Sequence, residues 1–295
     1  MGRLAEGAEE LVGQGCLRII VATSMRANMV NVPTDSHPDV SIVVVTYEGA
    51  ELVETALRAL LDNTEPCYEL ILIDNGSSDR TPALLRRVGN ATVVLNERNT
   101  GFGAANNEGA DRACGRYVLF LNQDAFVHRG WLPPLLERIE SDDAIGAVGP
   151  MLLNPDGSLQ CAGAMIFRTG DTRCYGVGDD PELPEYCLAR DVDYLSGACL
   201  LTRRSAFTDV GGFSPAYGLA YFEDADLCLS LATRGYRSVY EPRSRVTHVR
   251  GRPSDALLEL AARNRTLFER RWREVLASRP LPPTGASESV DNPLV

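Results

Sequence analysis

Lysine is absent. All 29 basic residues of this 295-residue chain are arginine. That excludes Schiff-base lysine chemistry, the lysine of a phosphate-binding P-loop and the Tyr–Lys pair of a short-chain dehydrogenase. Histidine is scarce, with three in the chain. The eight cysteines stand singly at 16, 67, 114, 161, 174, 187, 199 and 228, and no CxxC occurs. Zinc ligation by closely spaced Cys and His is therefore not expected. The scatter fits reduced thiols and a cytosolic address, with Cys199 in GACLL and Cys228 in DLCLSL as small buried thiols. No apolar run approaches a membrane span. The stretch 16–22 is short and interrupted by Arg18, which argues against a signal peptide. A cationic surface is missing too. The net charge of −11 disfavours nucleic acid, whose backbone is held by clustered cations. An anionic substrate here needs Arg, backbone amides or a metal cation.

What is present is enough apolar sequence, 44%, to bury a sizeable core. Residues 1–38 read as a loosely ordered extension, and 279–295 as a disordered Pro/Ser-rich tail. Between them, strand and helix patterns alternate. Residues 40–45 (VSIVVV) form a continuous β-branched run, the mark of a strand buried on both faces. Residues 50–61 carry a helical stripe, 69–73 a strand, and 81–88 a helix opened by Thr81-Pro82. A third strand at 92–95, a helix at 103–114 and a fourth strand at 117–122 follow. This order predicts an α/β, Rossmann-like fold with a mostly parallel central sheet and helices on both faces. Right-handed crossovers place the strand carboxyl ends on one edge, where ligands bind.

Four polar clusters fall on that edge: 46–49 (TYEG), 74–79 (DNGSSD), 96–103 (NERNTGFG) and 122–124 (NQD). One would be a turn; four in succession describe a pocket. Asp74 can accept from a base imide or a ribose hydroxyl. Asn75 and the small residues after it let a flat ring approach backbone. Gly101 and Gly103 open a helix whose free N–H groups favour phosphate. Asn122 and Asp124 offer oxygen atoms suited to Mg2+ or Mn2+. The Gly101-x-Gly103-x-x-Asn106 string lacks the third glycine of a dinucleotide fingerprint and follows the third strand, which disfavours a nicotinamide site. His128 reads as a surface or helix-start histidine.

In the second half, 191–202 is a strand broken by Gly197, and Gly235 is a helix-ending glycine. Glu223, Asp224 and Asp226 crowd a helix start beside Tyr221 and Phe222. The dipole there favours acids whatever their job, yet a cap needs only one, so a general base is the better account of three. Strand-like pieces at 238–240 and 245–248 leave His248 at a strand end, as a structural residue or a metal ligand.

The ordered strings VSIVVVTYEG, LILIDNGSSDRT, NTGFGAANNEG, YVLFLNQDA, GWLPPLL, SGACLLTRRSAFTDVGGF, YFEDADLCLSLATRGY and THVRG resemble the inverting glycosyltransferases of family 2, which have the GT-A fold. The likeness runs from about 40 to 272 and is greatest to the rhamnosyltransferase-like branch, whose C-terminal helix Arg263-Asn264 and Leu267-Phe268 also fit. The resemblance implies a GT-A domain over 39–278, with a nucleotide-binding half at 39–130 and an acceptor half at 131–278. Thr46, Tyr47, Asp74 and Asn75 would face base and ribose, and Asn99, Gly101 and Asn106 the ribose and diphosphate. Asp124 matches the second acid of the family's Asp-x-Asp metal motif, the first being Asn122 here. His248 matches a further contact to the Mg2+ or Mn2+ ion. Asp224 would be the catalytic base with Glu223 beside it, while Gly197, Ala198 and Asp226 would meet the acceptor. Ser230 stands where the motif usually continues with Arg. The implied reaction transfers a sugar, rhamnosyl or another hexosyl, from a nucleotide-diphosphate sugar to a hydroxyl. The acceptor would be a glycan, a lipid-linked or a small-molecule one, met in the cytoplasm or peripherally at the inner face of the membrane. There the Arg-rich stretch 263–273 could touch an anionic surface. The competing readings are a sugar nucleotidyltransferase, a nicotinamide oxidoreductase and a non-catalytic nucleotide-sugar-binding module.

Overall fold

The computed structural model describes residues 30–32, 37–65, 68–249, 251 and 253–283. The expectations for the two ends therefore fall mostly outside the described residues, as do Cys16 and Cys67. In chain order the elements are β1 (Val30–Asn31), β2 (Val40–Thr46), α1 (Ala50–Asn63), β3 (Tyr68–Asp74), α2 (Thr81–Leu85), β4 (Val88–Gly89) and β5 (Thr92–Leu95). Then come α3 (Phe102–Ala110), β6 (Tyr117–Asn122), β7 (Ala125–Val127), α4 (Leu132–Glu140), β8 (Ile145–Leu153), β9 (Leu159–Cys161), β10 (Ala164–Ile166) and β11 (Thr172–Cys174). The last are β12 (Arg190–Val192), β13 (Cys199–Arg203), α5 (Arg204–Asp209), α6 (Glu223–Thr233), β14 (Arg237–His248), α7 (Asp255–Arg271) and α8 (Arg273–Ala277).

One ten-stranded sheet runs β12-β14-β8-β13-β6-β2-β3-β5, with β7 added to β14 and β9 to β8. The β6-β2-β3-β5 half is wholly parallel, as the alternating pattern predicts. The other half is mixed. β13 runs antiparallel to both β6 and β8, and β14 parallel to β8. The inner parallel strands β2, β3 and β6 are largely apolar because both faces are covered; Ile42, Val43, Ile71 and Phe120 are fully buried, while the edge strand β5 is part-exposed. Helix α1 turns Val53, Leu57 and Leu60 inward, a stripe at helical spacing. α3 packs on β2 and β3, and α4 on β8 and β14. Under α3 an aromatic nest forms. Phe213 lies 4.8 Å from Phe120, 5.4 Å from Phe207 and 5.5 Å from Phe102, ring centre to ring centre, within the favoured range for aromatic pairs.

Two differences from the sequence reading concern the edges. Residues 30–32, assigned to the extension, include a strand paired with β4 and a buried Val32. At the other end Arg279 pairs with Asp193, and Pro280 O accepts from Arg168 N at 2.9 Å. The expectation of reduced thiols fails at one pair. Cys161 and Cys174 form a disulfide, because β10 and β11 pair antiparallel and bring the two Cα atoms to 5.0 Å, a spacing a disulfide can bridge. That pair removes the thiol argument for a cytosolic address. Cys199 and Cys228 are buried and free, as expected. Among the described residues no helix is long and apolar enough to cross a membrane.

Gly109 on α3 offers a test of this packing. A Cβ there would run into the side chain of fully buried Val43 on β2. Gly109→Ala gains about 1 kcal/mol of helix propensity but overpacks a filled interface, which costs about 1–3 kcal/mol. The expected outcome is a lower midpoint in chemical denaturation with an unchanged m-value; a stabilised variant would refute the close α3–β2 contact.

Candidate active site

The four polar clusters meet where the parallel strands end. Thr46 and Asp74 are partners in the β2–β3 register. Asp74 Oδ2 accepts from Ser77 N at 3.1 Å, and Glu48 Oε1 accepts from Ser78 N at 2.9 Å. Asp79 accepts from Ala50 N at the start of α1 and from Thr81 N at the start of α2, so the last acid of DNGSSD caps two helices. Gln123 reaches across to Tyr47, accepting from its N–H at 2.7 Å and donating to its carbonyl at 3.2 Å. Asn75 joins the second cluster to the third. Its Nδ2 donates to Asn99 Oδ1 at 2.9 Å, and its Oδ1 accepts from Thr100 N at 3.0 Å. Asn106 Nδ2 donates back to Phe102 O at 3.0 Å. Asn75 and Asn106 are buried and brace the loops that carry the expected nucleotide contacts. Gly101 adopts φ 93°, and a Cβ there would strike Gly218 O, so glycine is needed for both reasons.

A cleft opens beside this edge. Its walls include Asn122, Asp124, Gly197, Ala198, Glu223, Asp224 and His248, all of them residues singled out from the sequence. Thr46, Tyr47, Asp74, Asn99 and Gly101 stand outside that lining, along the strand ends. The topology explains the gathering. Antiparallel pairing of β13 with β6 sets the entry of β13 beside the exit of β6, and Ala198 O accepts from Asn122 N at 2.9 Å. β14 pairs with β7 so that His248 faces Ala125. His248 Nε2 thereby lies 3.4 Å from Asp124 Oδ1 and 3.4 Å from Asn122 Nδ2. His128 is tied off by Thr247 Oγ1 at 2.8 Å, in keeping with its structural reading.

Asp224 sits in the first turn of α6. Its Oδ2 accepts from Gly197 N at 3.1 Å and its Oδ1 from Ala225 N at 2.8 Å. Burial pushes its carboxyl up, to about 6, while those N–H groups pull it back. Glu223 is raised further, first by burial and then by the charge of Asp224. Its Oε2 is buried with no hydrogen-bond partner among the described residues. Burial thus raises both carboxyls, and Glu223 the more strongly of the two.

Asp226, expected at the acceptor, takes a different course. Its Oδ1 accepts from Tyr217 Oη at 2.8 Å and Trp272 Nε1 at 2.8 Å, and pairs with Arg271 Nε at 3.1 Å. It faces the C-terminal helices, not the cleft. Two residues between α6 and the preceding loop were not singled out for strain. Tyr221 and Phe222 have φ 76° and 74°, the left-handed region that β-carbon residues rarely adopt. Buried Asn264 on α7 holds that turn, donating to Tyr217 O and Ala220 O at 2.7 Å each and to Tyr221 O at 3.1 Å. Arg263-Asn264 was visible in the sequence as a motif, but nothing local says what it grips. Gln123 and Ser196 lie inside quoted strings without being singled out, and Gln160 carries no signal at all.

The glycosyl transferase family 2 pattern matches residues 41–211. The N-acetylglucosaminyl-diphospho-decaprenol L-rhamnosyltransferase of Mycobacterium tuberculosis is 31% identical over 252 residues, covering 77% of this chain and 82% of that protein. The O-antigen biosynthesis protein RfbC of Myxococcus xanthus is 30% identical across 82% of this chain, which spans 20% of it. Among solved structures, GalNAc-T7 with UDP, GalNAc and Mn2+ superposes with a TM-score of 0.65 at 19% identity, over 81% of this chain and 48% of that one. The mannosyltransferase PcManGT from Pyrobaculum calidifontis, in complex with GDP-Man and Mn2+, gives 0.59 at 18% identity, over 88% of this chain and 70% of that one. At such identities the two structures speak for the fold alone. Matched by the family pattern over more than half its length and close in sequence to a rhamnosyltransferase over most of it, the chain belongs to glycosyl transferase family 2 and is a glycosyltransferase of the GT-A fold.

Proposed function

We propose that the chain moves a hexosyl group, rhamnosyl by preference, from a nucleoside diphosphate donor to an acceptor hydroxyl, with inversion and with Mg2+ or Mn2+. One observation carries the reading: Asp124 with His248, and Asp224 with Glu223, line one cleft. The residues fit a divalent ion. A carboxylate oxygen and an imidazole nitrogen lie 3.4 Å apart, both suitable donors. Among the described residues no third His, Cys, Asp or Glu joins them, so the remaining positions fall to diphosphate oxygens, as is usual for Mg2+. When bound, the ion would neutralise charge growing on the leaving diphosphate. The Mn2+ and nucleotide sugars named for the two solved structures support the same assignment.

The donor would lie along the wall built by Thr46, Tyr47, Asp74, Asn99 and Gly101, with 39–130 as the nucleotide half and 131–278 as the acceptor half. Asp224 takes the proton from the acceptor hydroxyl, whose oxygen attacks the anomeric carbon opposite the leaving group. Its raised pKa suits it to the task near neutral pH. Glu223, protonated, would donate to a sugar oxygen and so satisfy its buried Oε2. Gly197 and Ala198 would form the acceptor floor. The name of the mycobacterial relative favours an acceptor carried on a polyprenyl diphosphate. Such an acceptor would bring the Arg-rich junction of α7 and α8, with Arg270 and Arg273 on a surface hollow, to an anionic membrane face.

Three outcomes test this. Asp224→Asn should leave donor affinity nearly intact and lower kcat by about 100-fold or more; unchanged turnover rejects the base. The wild-type pH–rate profile should lose about tenfold per unit below about pH 6, since only the ionised carboxyl accepts a proton; activity flat to pH 4.5 sinks the assignment. Asp124→Ala should weaken donor binding by calorimetry and erase its sensitivity to EDTA, whereas wild-type affinity indifferent to EDTA would count against the ion.

A further inference from the structure

We infer that Gln160 is a positioning residue: it fixes the tautomer of His248 so that ring nitrogen Nε2 presents a lone pair to the cleft. The inference rests on the proposed cation only for its purpose; the tautomer itself follows from hydrogen-bond chemistry.

Gln160 lies on β9 and is 5% exposed. One of its amide atoms is 3.0 Å from the peptide oxygen of His248. A peptide oxygen can only accept, so that atom is the nitrogen. The same nitrogen donates to Asn154 Oδ1 at 3.0 Å. Asn154 is oriented in turn, since its own Nδ2 donates to Leu159 O at 3.3 Å and to Ser158 Oγ at 2.9 Å. Two acceptors, one of them backbone, thus forbid the flipped amide, which would set oxygen against oxygen. The atom 2.8 Å from His248 Nδ1 is therefore Gln160 Oε1. It accepts, so Nδ1 carries the hydrogen. In the neutral ring Nε2 is then the unprotonated nitrogen, and it is the one that faces Asp124 Oδ1 and Asn122 Nδ2.

Space filling does not account for this arrangement. An apolar side chain would fill the volume without the cost of burying an amide. Gln160 instead grips both the ring and the main-chain oxygen of one histidine, fixing its rotation as well as its tautomer. Ligating histidines commonly hold the second ring nitrogen in this way. The neighbouring Cys161–Cys174 disulfide anchors β9, and with it the base of the grip.

Three histidines in the chain make the ring nitrogens assignable by long-range 1H–15N NMR on metal-free protein. Wild type is expected to hold His248 as the Nδ1–H tautomer, and Gln160→Leu to lose that preference. An Nε2–H ring in wild type, or an unchanged Nδ1–H ring in folded Gln160→Leu, overturns the inference. Titration with Mn2+ in the presence of UDP or GDP, read by electron paramagnetic resonance, should then show binding about 10- to 100-fold weaker in Gln160→Leu. A tautomer that shifts while manganese binding does not would overturn the cation reading and leave the hydrogen-bond assignment standing.

Discussion

The antiparallel seam between β6 and β13 is the contact on which the cleft rests. A parallel half-sheet delivers its own loops to one edge, but residues from a later segment must be turned round to reach it. Here the chain re-enters at 197–198, beside Asn122, and the turn leaves the Gly197 N–H pointing at Asp224. Phe102 closes from the other side: a Cβ on Gly197 would lie 2.9 Å from its ring. The seam thus sets backbone, carboxylate and ring together, and β14 adds His248 through its pairing with β7.

Within α6, three acids of one turn meet three environments. Asp226 is matched by an arginine and two aromatic donors. Asp224 is matched by two backbone N–H groups. Glu223 Oε2 has no hydrogen-bond partner among the described residues. Burial raises all three, and hydrogen bonds that Glu223 Oε2 lacks pull Asp224 and Asp226 back, although the helix dipole is common to all. A concentration of like charge that looks wasteful in the sequence is divided in space among three different surroundings.

The parallel half was legible because its strands are unbroken apolar runs and its loops polar. The mixed half hid for physical reasons. β8 (IGAVGPMLL) carries Gly146, Gly149 and Pro150, residues that usually end strands; here the glycines make room for Tyr236 and Leu195. β14 read as two pieces because Glu241, Pro242, Arg243 and Ser244 interrupt the alternation, and the strand shifts register there. Asp226 lies apart from Asp224 because residues two apart on a helix point away from each other. The pairing of Cys161 with Cys174 depends on a short hairpin, and the grips of Gln160 and Asn264 on segments far along the chain. None leaves a local pattern to read.

The twin left-handed residues before α6 set a limit on how this enzyme can change. Tyr221 and Phe222 each store about 1–3 kcal/mol of backbone strain, and Asn264 bolts the turn shut from outside. Glycine at either place would relieve that load and also slacken the hinge that aims the next two acids. On the roles proposed for those acids, robustness and turnover would be opposed at this corner, and a population selected for heat tolerance alone would drift towards a sturdier, slower catalyst.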